Sequence, residues 1–149
     1  MRRRSTTAER RQGAALVEMA FVALVFLMLL FGILEYCRFL FFKQIMDNAA
    51  REGARYAVVN TASSTVTADT LARVSTVMAG MDKNLKNYSA QVYAADAAGT
   101  NLGTPDTAAF GTYIAVELSA DYSPILPSFL LMNSTIKLSS KALMYSEAN

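Results

Sequence analysis

Histidine and tryptophan are absent from this chain of 149 residues, and cysteine occurs once, as Cys37. The missing histidines exclude the common zinc sites and every catalytic triad that uses an imidazole, and a lone cysteine excludes a disulfide within the chain. The seven glycines form neither a P-loop nor a dinucleotide-binding pattern. We therefore expect no catalytic site, no cofactor and no bound metal.

The acidic residues also lack the spacing of a catalytic pair. An enzyme without histidine would need a Ser-Lys pair or two facing carboxylates. The candidate carboxylates are spread along the chain: Asp69, Asp82, Asp96, Asp106, Glu117 and Asp121. The sequence therefore gives little support to an enzymatic function.

Positive charge is concentrated at the N-terminus. Residues 1–12 contain five arginines and one glutamate, whereas the whole chain has a net charge of +2, so the remaining residues are net acidic. The basic cluster stands beside an apolar segment, and the rest of the sequence indicates no basic face of the kind that binds nucleic acid. No nucleic-acid partner is expected.

A long apolar segment follows the arginines. Between residues 14 and 34 the only charged side chain is Glu18, and 21 helical residues would span about 32 Å, the thickness of a bilayer core. We predict a transmembrane helix over residues 14–35 in contact with the lipid bilayer. The preceding arginines predict a cytoplasmic N-terminus and an extracytoplasmic remainder. A cleaved signal peptide or a plain signal anchor would share this pattern.

The glutamate inside the apolar segment needs an explanation, because a charge in the bilayer is energetically costly. The stretch Gly13-Ala14-Ala15-Leu16-Val17-Glu18 resembles the processing site of type IV prepilins. That resemblance implies cleavage between Gly13 and Ala14 by a prepilin peptidase, with Glu18 as the fifth mature residue. The new ammonium at Ala14 would lie one helical turn from Glu18, so the two charges could neutralise each other within one subunit or between neighbours and set their register.

Two further motifs extend the resemblance to about residue 57. Gly32-Ile33-Leu34-Glu35 with Arg38, and the later run N-A-A-R-E-G-A-R at residues 48–55, are similar to those of TadE/TadG-like pseudopilins. The family patterns are GAAxVEFA, G-I-x-E-x-x-R and N-A-A-R-E-G-A-R. The motif residues on the stalk are Glu35, Arg38, Asn48, Arg51, Glu52, Gly53 and Arg55.

The resemblance implies a bacterial Tad-type pilus protein of the inner membrane. Its implied partners are a prepilin peptidase, other pilin or pseudopilin subunits and the inner-membrane assembly platform. The implied role is that of a minor pilin or pseudopilin acting in pilus assembly, initiation or adhesion. The alternative is an uncleaved, single-pass membrane protein whose outer domain binds a ligand or partner or serves as an assembly factor.

Apolar and small residues continue at helical spacing beyond the membrane segment. We predict that residues 36–59 form a helical stalk continuous with residues 14–35, after a basic leader of residues 1–13. Asp47 and Arg51 are spaced for an ion pair within the helix. Cys37 would lie near the outer membrane boundary, as a small apolar residue or as one half of an intersubunit disulfide.

The sequence predicts an extracytoplasmic α+β domain over residues 60–149. A second helix, capped by Thr67 or Asp69 and ending near Lys83, is expected before strands at residues 90–95, 113–122 and 135–145. Residues 96–111 are expected to be a mobile loop, and the apolar residues 124–132 a lid over the sheet or a subunit contact. The expected architecture is a long N-terminal helix packed on a small antiparallel sheet.

Overall fold

The computed structural model describes residues 7–108, 111–125 and 133–146, with side chains in the first helix from Gly13 onward. Residues 1–6 of the predicted leader and residues 126–132 of the predicted apolar lid lie outside this part of the chain. The architecture is α+β, as predicted from the sequence: one long N-terminal helix, a shorter helix and a four-stranded antiparallel sheet.

Helix α1 spans Thr7–Val59 and is continuous across its 53 residues, a length of about 80 Å. It contains neither proline nor a cluster of turn residues, so nothing in it interrupts the backbone hydrogen bonds. It ends at Val59, the residue predicted from the sequence. Its first half stands clear of the outer domain, and its second half packs on the sheet.

Helix α2 spans Val66–Met78 and ends earlier than the predicted position near Lys83. Ala79 and Gly80 both adopt left-handed backbone conformations, with φ of 50° and 80°, which end the helix. A short 3₁₀ helix over Met81–Asn84 follows. At the start of α2, the hydroxyl of Thr65 donates to the carboxylate of Asp69.

The sheet has the strand order β2-β1-β3-β4. Its strands are β1 at Lys86–Ala95, β2 at Asn101–Gly103, β3 at Tyr113–Tyr122 and β4 at Ile136–Tyr145. The predicted bounds of β3 are confirmed, and β1 begins four residues earlier than predicted. The predicted loop of residues 96–111 contains the short strand β2 and a 3₁₀ helix at Pro105–Thr107.

The main core lies between α1, α2 and one face of the sheet. From α1 it receives Phe42, Met46, Ala49, Ala50 and Ala54; from α2, Val74 and Met78; and from the strands, Val116, Leu118 and Leu138 among others. Alternate residues of β3, Ile114, Val116 and Leu118, point to this face, and all three are buried. The other face carries a smaller buried cluster of Tyr93, Ala95 and Ala115, which the alternation did not indicate.

Candidate functional site

The first half of α1 presents a long apolar surface. Large hydrophobic side chains from Leu16 to Leu34 are exposed, and among the residues that the structure describes, one helix, within Gly13–Val59, is long and apolar enough to cross a membrane. The most apolar window of this helix has a mean hydropathy of 2.7, and none of it is covered by the rest of the chain. Such a surface is compatible with a single-pass membrane anchor.

Gly13, Ala14 and Glu18 all lie exposed on this helix. A Cβ atom added to Gly13 would have no heavy atom within 4 Å, so packing within the chain does not require glycine there. Ala14 and Glu18 are one helical turn apart, as predicted from their spacing. Glu18 forms no ion pair with any residue whose side chain the structure describes.

Glu35 and Arg38 meet a tyrosine from the sheet at the end of the apolar segment. Glu35 is 7% exposed, and its Oε1 accepts hydrogen bonds from Arg38 Nη1, at 3.1 Å, and from the phenol of Tyr122. The guanidinium carbon of Arg38 lies 5.0 Å from the ring centre of Tyr122 and 5.7 Å from that of Phe42. We call Glu35, Arg38 and Tyr122 the base cluster.

The base cluster connects residues that are 87 positions apart in the chain. Burial raises the pKa of Tyr122 well above its usual value, and the hydrogen bond to Glu35 raises it further, so the phenol keeps its proton and remains a donor. The Glu35 carboxylate thus accepts hydrogen bonds from Arg38 and Tyr122 at the end of the apolar segment of α1. The family resemblance named Glu35 and Arg38 as motif residues, but neither their contact nor the part of Tyr122, which lies on a distant strand, was predicted.

Asp47 links α1 to β4. Its Oδ1 accepts hydrogen bonds from Lys43 at 2.5 Å and from the Ser140 hydroxyl at 2.6 Å, and Lys43 also donates to the carbonyl of Ser139. The predicted pair of Asp47 with Arg51 is therefore wrong, since Lys43 takes the carboxylate. Burial opposes ionisation, but the hydrogen bonds and the charges of Lys43 and Arg51 outweigh it and lower the pKa of Asp47.

Gly53 lies where α1 packs against α2 and β3. A Cβ at this position would stand 2.6 Å from Cγ2 of Val74 and 3.4 Å from Cγ1 of Val116, and real Cβ atoms do not come as close as the first of these distances. Gly53 therefore serves the packing of the outer domain itself. The neighbouring Ala49, Ala50, Ala54 and Ala57 are also fully buried against the same domain.

The remaining motif residues line one groove on the outside of the stalk. The groove has a volume of about 480 Å³ and is lined by Asn48, Arg51, Glu52, Arg55, Arg73, Val77 and Met144; we call it the arginine groove. Arg73 of α2 donates from Nη2 and Nε to Oε1 of Glu52, at 2.7 and 3.2 Å. The hydrogen bond from Arg73 lowers the pKa of Glu52.

The motif residues thus separate into three locations along α1. Glu18 lies about 26 Å from Glu35 along the helix axis, and the arginine groove begins about 20 Å beyond Glu35. The family motif named Asn48, Arg51, Glu52 and Arg55, and the structure places all four around one groove with Arg73, which comes from another helix and was not predicted. Cys37 is exposed and not in a disulfide.

A comparison with known families covers all three locations. Residues 13–55 match the model of the TadE-like protein family. This segment is TadE-like.

The match begins at Gly13 and ends at Arg55, so it contains the apolar helix, the base-cluster residues of α1 and the groove residues of α1. No curated protein and no solved structure matches the chain. The TadE-like match spans residues 13–55, less than half of the 149 residues of the chain. It covers neither α2 nor any strand of the sheet.

Proposed function

We propose that this protein is a minor pilin or pseudopilin of a bacterial Tad-type pilus and not an enzyme. It is inserted once in the inner membrane and is cleaved after Gly13 by a prepilin peptidase. It then acts with other subunits and the assembly platform in pilus assembly, initiation or adhesion. The observation that carries the proposal is the TadE-like segment beginning at Gly13, in which Glu18 is the only charged residue of the apolar stretch 14–34.

The position of Glu18 supports cleavage on electrostatic grounds. A carboxylate near the lipid boundary is stabilised by a cation within a few ångströms. Cutting the bond between Gly13 and Ala14 creates an ammonium four residues before Glu18, on the same face of α1. This ammonium pairs with Glu18 of its own chain or of a neighbouring subunit, and in the second case it sets the register between adjacent helices.

The surroundings of Gly13 support a role in recognition by a peptidase. The bond to be cut lies within α1, so a peptidase must first unwind the helix around it. Glycine weakens a helix by about 1 kcal/mol relative to alanine, which makes this unwinding easier. Among the residues that the structure describes, no packing contact near Gly13 explains the glycine otherwise.

The charge distribution supports an orientation with residues 1–12 in the cytoplasm. Five arginines precede the apolar segment, and such clusters remain on the cytoplasmic side during insertion. The outer domain of α2 and the sheet then lies outside the inner membrane. It packs against residues 36–59 of α1 and leaves residues 14–34 free to contact lipid or the helices of other subunits.

The proposal is tested by determining the N-terminus of the membrane-bound protein by mass spectrometry, with and without a co-expressed prepilin peptidase. We expect a chain beginning at Ala14 only when the peptidase is present. An intact N-terminus under both conditions contradicts the proposal and favours the uncleaved membrane protein.

Two variants refine the same measurement. Gly13→Ala should abolish or strongly reduce cleavage without affecting the outer domain, because its side chain meets nothing in the fold. Glu18→Gln should still be cleaved but should fail to enter pili, because the partner of the new ammonium is neutral. Efficient cleavage of Gly13→Ala, or normal assembly of Glu18→Gln, would refute the role given to that residue.

A further inference from the structure

The arginine groove contains more positive charge than the chain itself compensates. Three guanidinium groups, from Arg51, Arg55 and Arg73, line it together with one carboxylate, Glu52. Glu52 is taken by Arg73, and Asp47, the nearest other acid along α1, is bonded to Lys43 and Ser140. Neither Arg51 nor Arg55 forms an ion pair or side-chain hydrogen bond with another described residue.

Arg51 and Arg55 also stand one helical turn apart, so the two like charges repel each other. Both side chains are exposed, and they line the groove together with the partly buried apolar side chains of Val77 and Met144. The surface therefore suits a partner that presents a carboxylate beside an apolar side chain. Arginine is well suited to bind such a carboxylate through two parallel hydrogen bonds.

The loop between β1 and the 3₁₀ helix at Pro105–Thr107 presents this combination. Leu102 is 63% exposed, and Asp106 is an exposed acid four residues later. The other acid of the loop, Asp96, accepts hydrogen bonds from the backbone N–H groups of Ala98 and Thr100. Asp106 is therefore the carboxylate that this loop can offer to a partner.

The loop is held in a fixed conformation. Lys141 on β4 donates to the carbonyl of Gly99 at 2.6 Å, and Asn101 accepts from the N–H of Gly103. A surface ordered in advance loses less conformational entropy when it binds. We propose that residues 96–106 of one copy of this chain dock in the arginine groove of a second copy, with Asp106 against Arg51 and Arg55 and Leu102 against Val77 and Met144.

The placement of the two surfaces determines the kind of assembly. Gly103 of β2 pairs with Ala94, which clusters with Ala57 and Val58 of α1, so this part of the loop lies about 9 Å along α1 beyond the centre of the groove. Docking therefore joins copies that are offset along the helix axis. Because the two surfaces differ, the contact is heterologous and can continue from copy to copy.

This inference deepens the proposed function, since an offset, repeating contact is what a fibre or its assembly complex requires. It is tested without any cleavage step, on the purified full-length chain in detergent micelles, by sedimentation velocity over a range of protein concentrations. The native chain should self-associate. Arg51→Glu combined with Arg55→Glu should weaken this association at least tenfold, and Asp106→Arg should do the same.

Mixing the loop variant with the groove variant is the decisive experiment. The Asp106→Arg copy retains a native groove, and the Arg51→Glu/Arg55→Glu copy retains a native loop, so their mixture should form a 1:1 heterodimer. Lys83→Glu combined with Lys86→Glu is the control of equal charge change, at exposed positions away from the groove, and should leave self-association unchanged.

Three results would overturn the inference: a native chain that stays monomeric, groove variants that associate like the native chain, or a mixture that remains monomeric. Equal weakening by the lysine control would also overturn it, because general charge would then explain the effect. If the chain begins at Ala14 but the docking contact is not found, the inference is wrong and the proposed function stands. If the chain is uncleaved but the heterodimer forms, the docking contact stands and the proposed function is wrong.

Discussion

Tyr122 joins the sheet to the lower part of α1 through a single hydrogen-bonded carboxylate. Its phenol donates to Glu35, which is buried and also bonded to Arg38. A hydrogen bond to a buried charged group contributes about 2 kcal/mol, and leaving such a group short of a donor costs a similar amount. The base cluster therefore helps to hold the sheet against α1 at the end of the apolar segment.

Replacing Tyr122 by phenylalanine should lower the free energy of unfolding of the outer domain by about 2 kcal/mol. The ring contacts with Phe39 and Phe42 are retained, so the loss reports the hydroxyl group. Urea unfolding in detergent, followed by circular dichroism, measures it. Tyr36→Phe removes the same hydroxyl from a 61% exposed ring nearby and should change stability little. Equal effects of the two variants would contradict the role of the base cluster.

Asp47 makes stability depend on pH. Its pKa is lower in the folded chain than in an unfolded one, so the folded state favours the ionised carboxylate. The resulting stabilisation is present above the ordinary carboxylate pKa of about 3.9 and is lost as the pH falls through the lower, folded value. Asp47→Asn should therefore be less stable than the native chain at pH 7, and the difference should shrink below about pH 4. A difference that does not vary with pH would contradict this.

At the scale of elements, Gly53 permits the close approach of α1, α2 and β3. Alanine is the better helix former by about 1 kcal/mol, but its Cβ would collide with Val74, whose side chain is buried and short. Gly53→Ala should therefore destabilise the outer domain by about 1–3 kcal/mol despite its helix propensity.

The same substitution elsewhere on α1 supplies the control. Gly13→Ala meets no neighbouring atom and should not destabilise the outer domain. Adding Val74→Ala to Gly53→Ala removes the colliding methyl groups, so the double variant should lose less than the two single variants combined. Strict additivity in thermal or urea unfolding would show that the close contact does not govern this site.

Elements with strong local patterns could be predicted from the sequence. The end of α1 at Val59 and the bounds of β3 follow from unbroken helical spacing and from clear alternation. The end of α2 could not be predicted to the residue, because it depends on a left-handed conformation at Ala79, which is rare for alanine. Strand β2, three residues long, is too short to show a pattern.

Contacts between distant parts of the chain could not be predicted either. Two cations lie four residues from Asp47 in the sequence, Lys43 before it and Arg51 after it. In the structure Lys43 bonds Asp47, and Ser140 of the sheet donates to the same oxygen. Tyr122 and Arg73 reach their partners on α1 only through the tertiary fold. The family resemblance identified the motif residues on α1, but not the side chains that complete their sites.

For the whole molecule, the two halves of α1 have different surroundings. The upper half is covered by α2 and the sheet, whereas the lower half exposes its apolar side chains from Leu16 to Leu34. The central claim is that this lower half begins, in the working protein, with an ammonium at Ala14 that neutralises Glu18. The TadE-like segment and the position of Glu18 support it.

The most direct test is the N-terminal mass of the chain isolated from sheared pili, compared with that of the chain left in the membrane. The account predicts that every copy recovered with the pili begins at Ala14, and that uncleaved copies are confined to the membrane. Pili of normal number and length whose copies of this protein still carry residues 1–13 would contradict it.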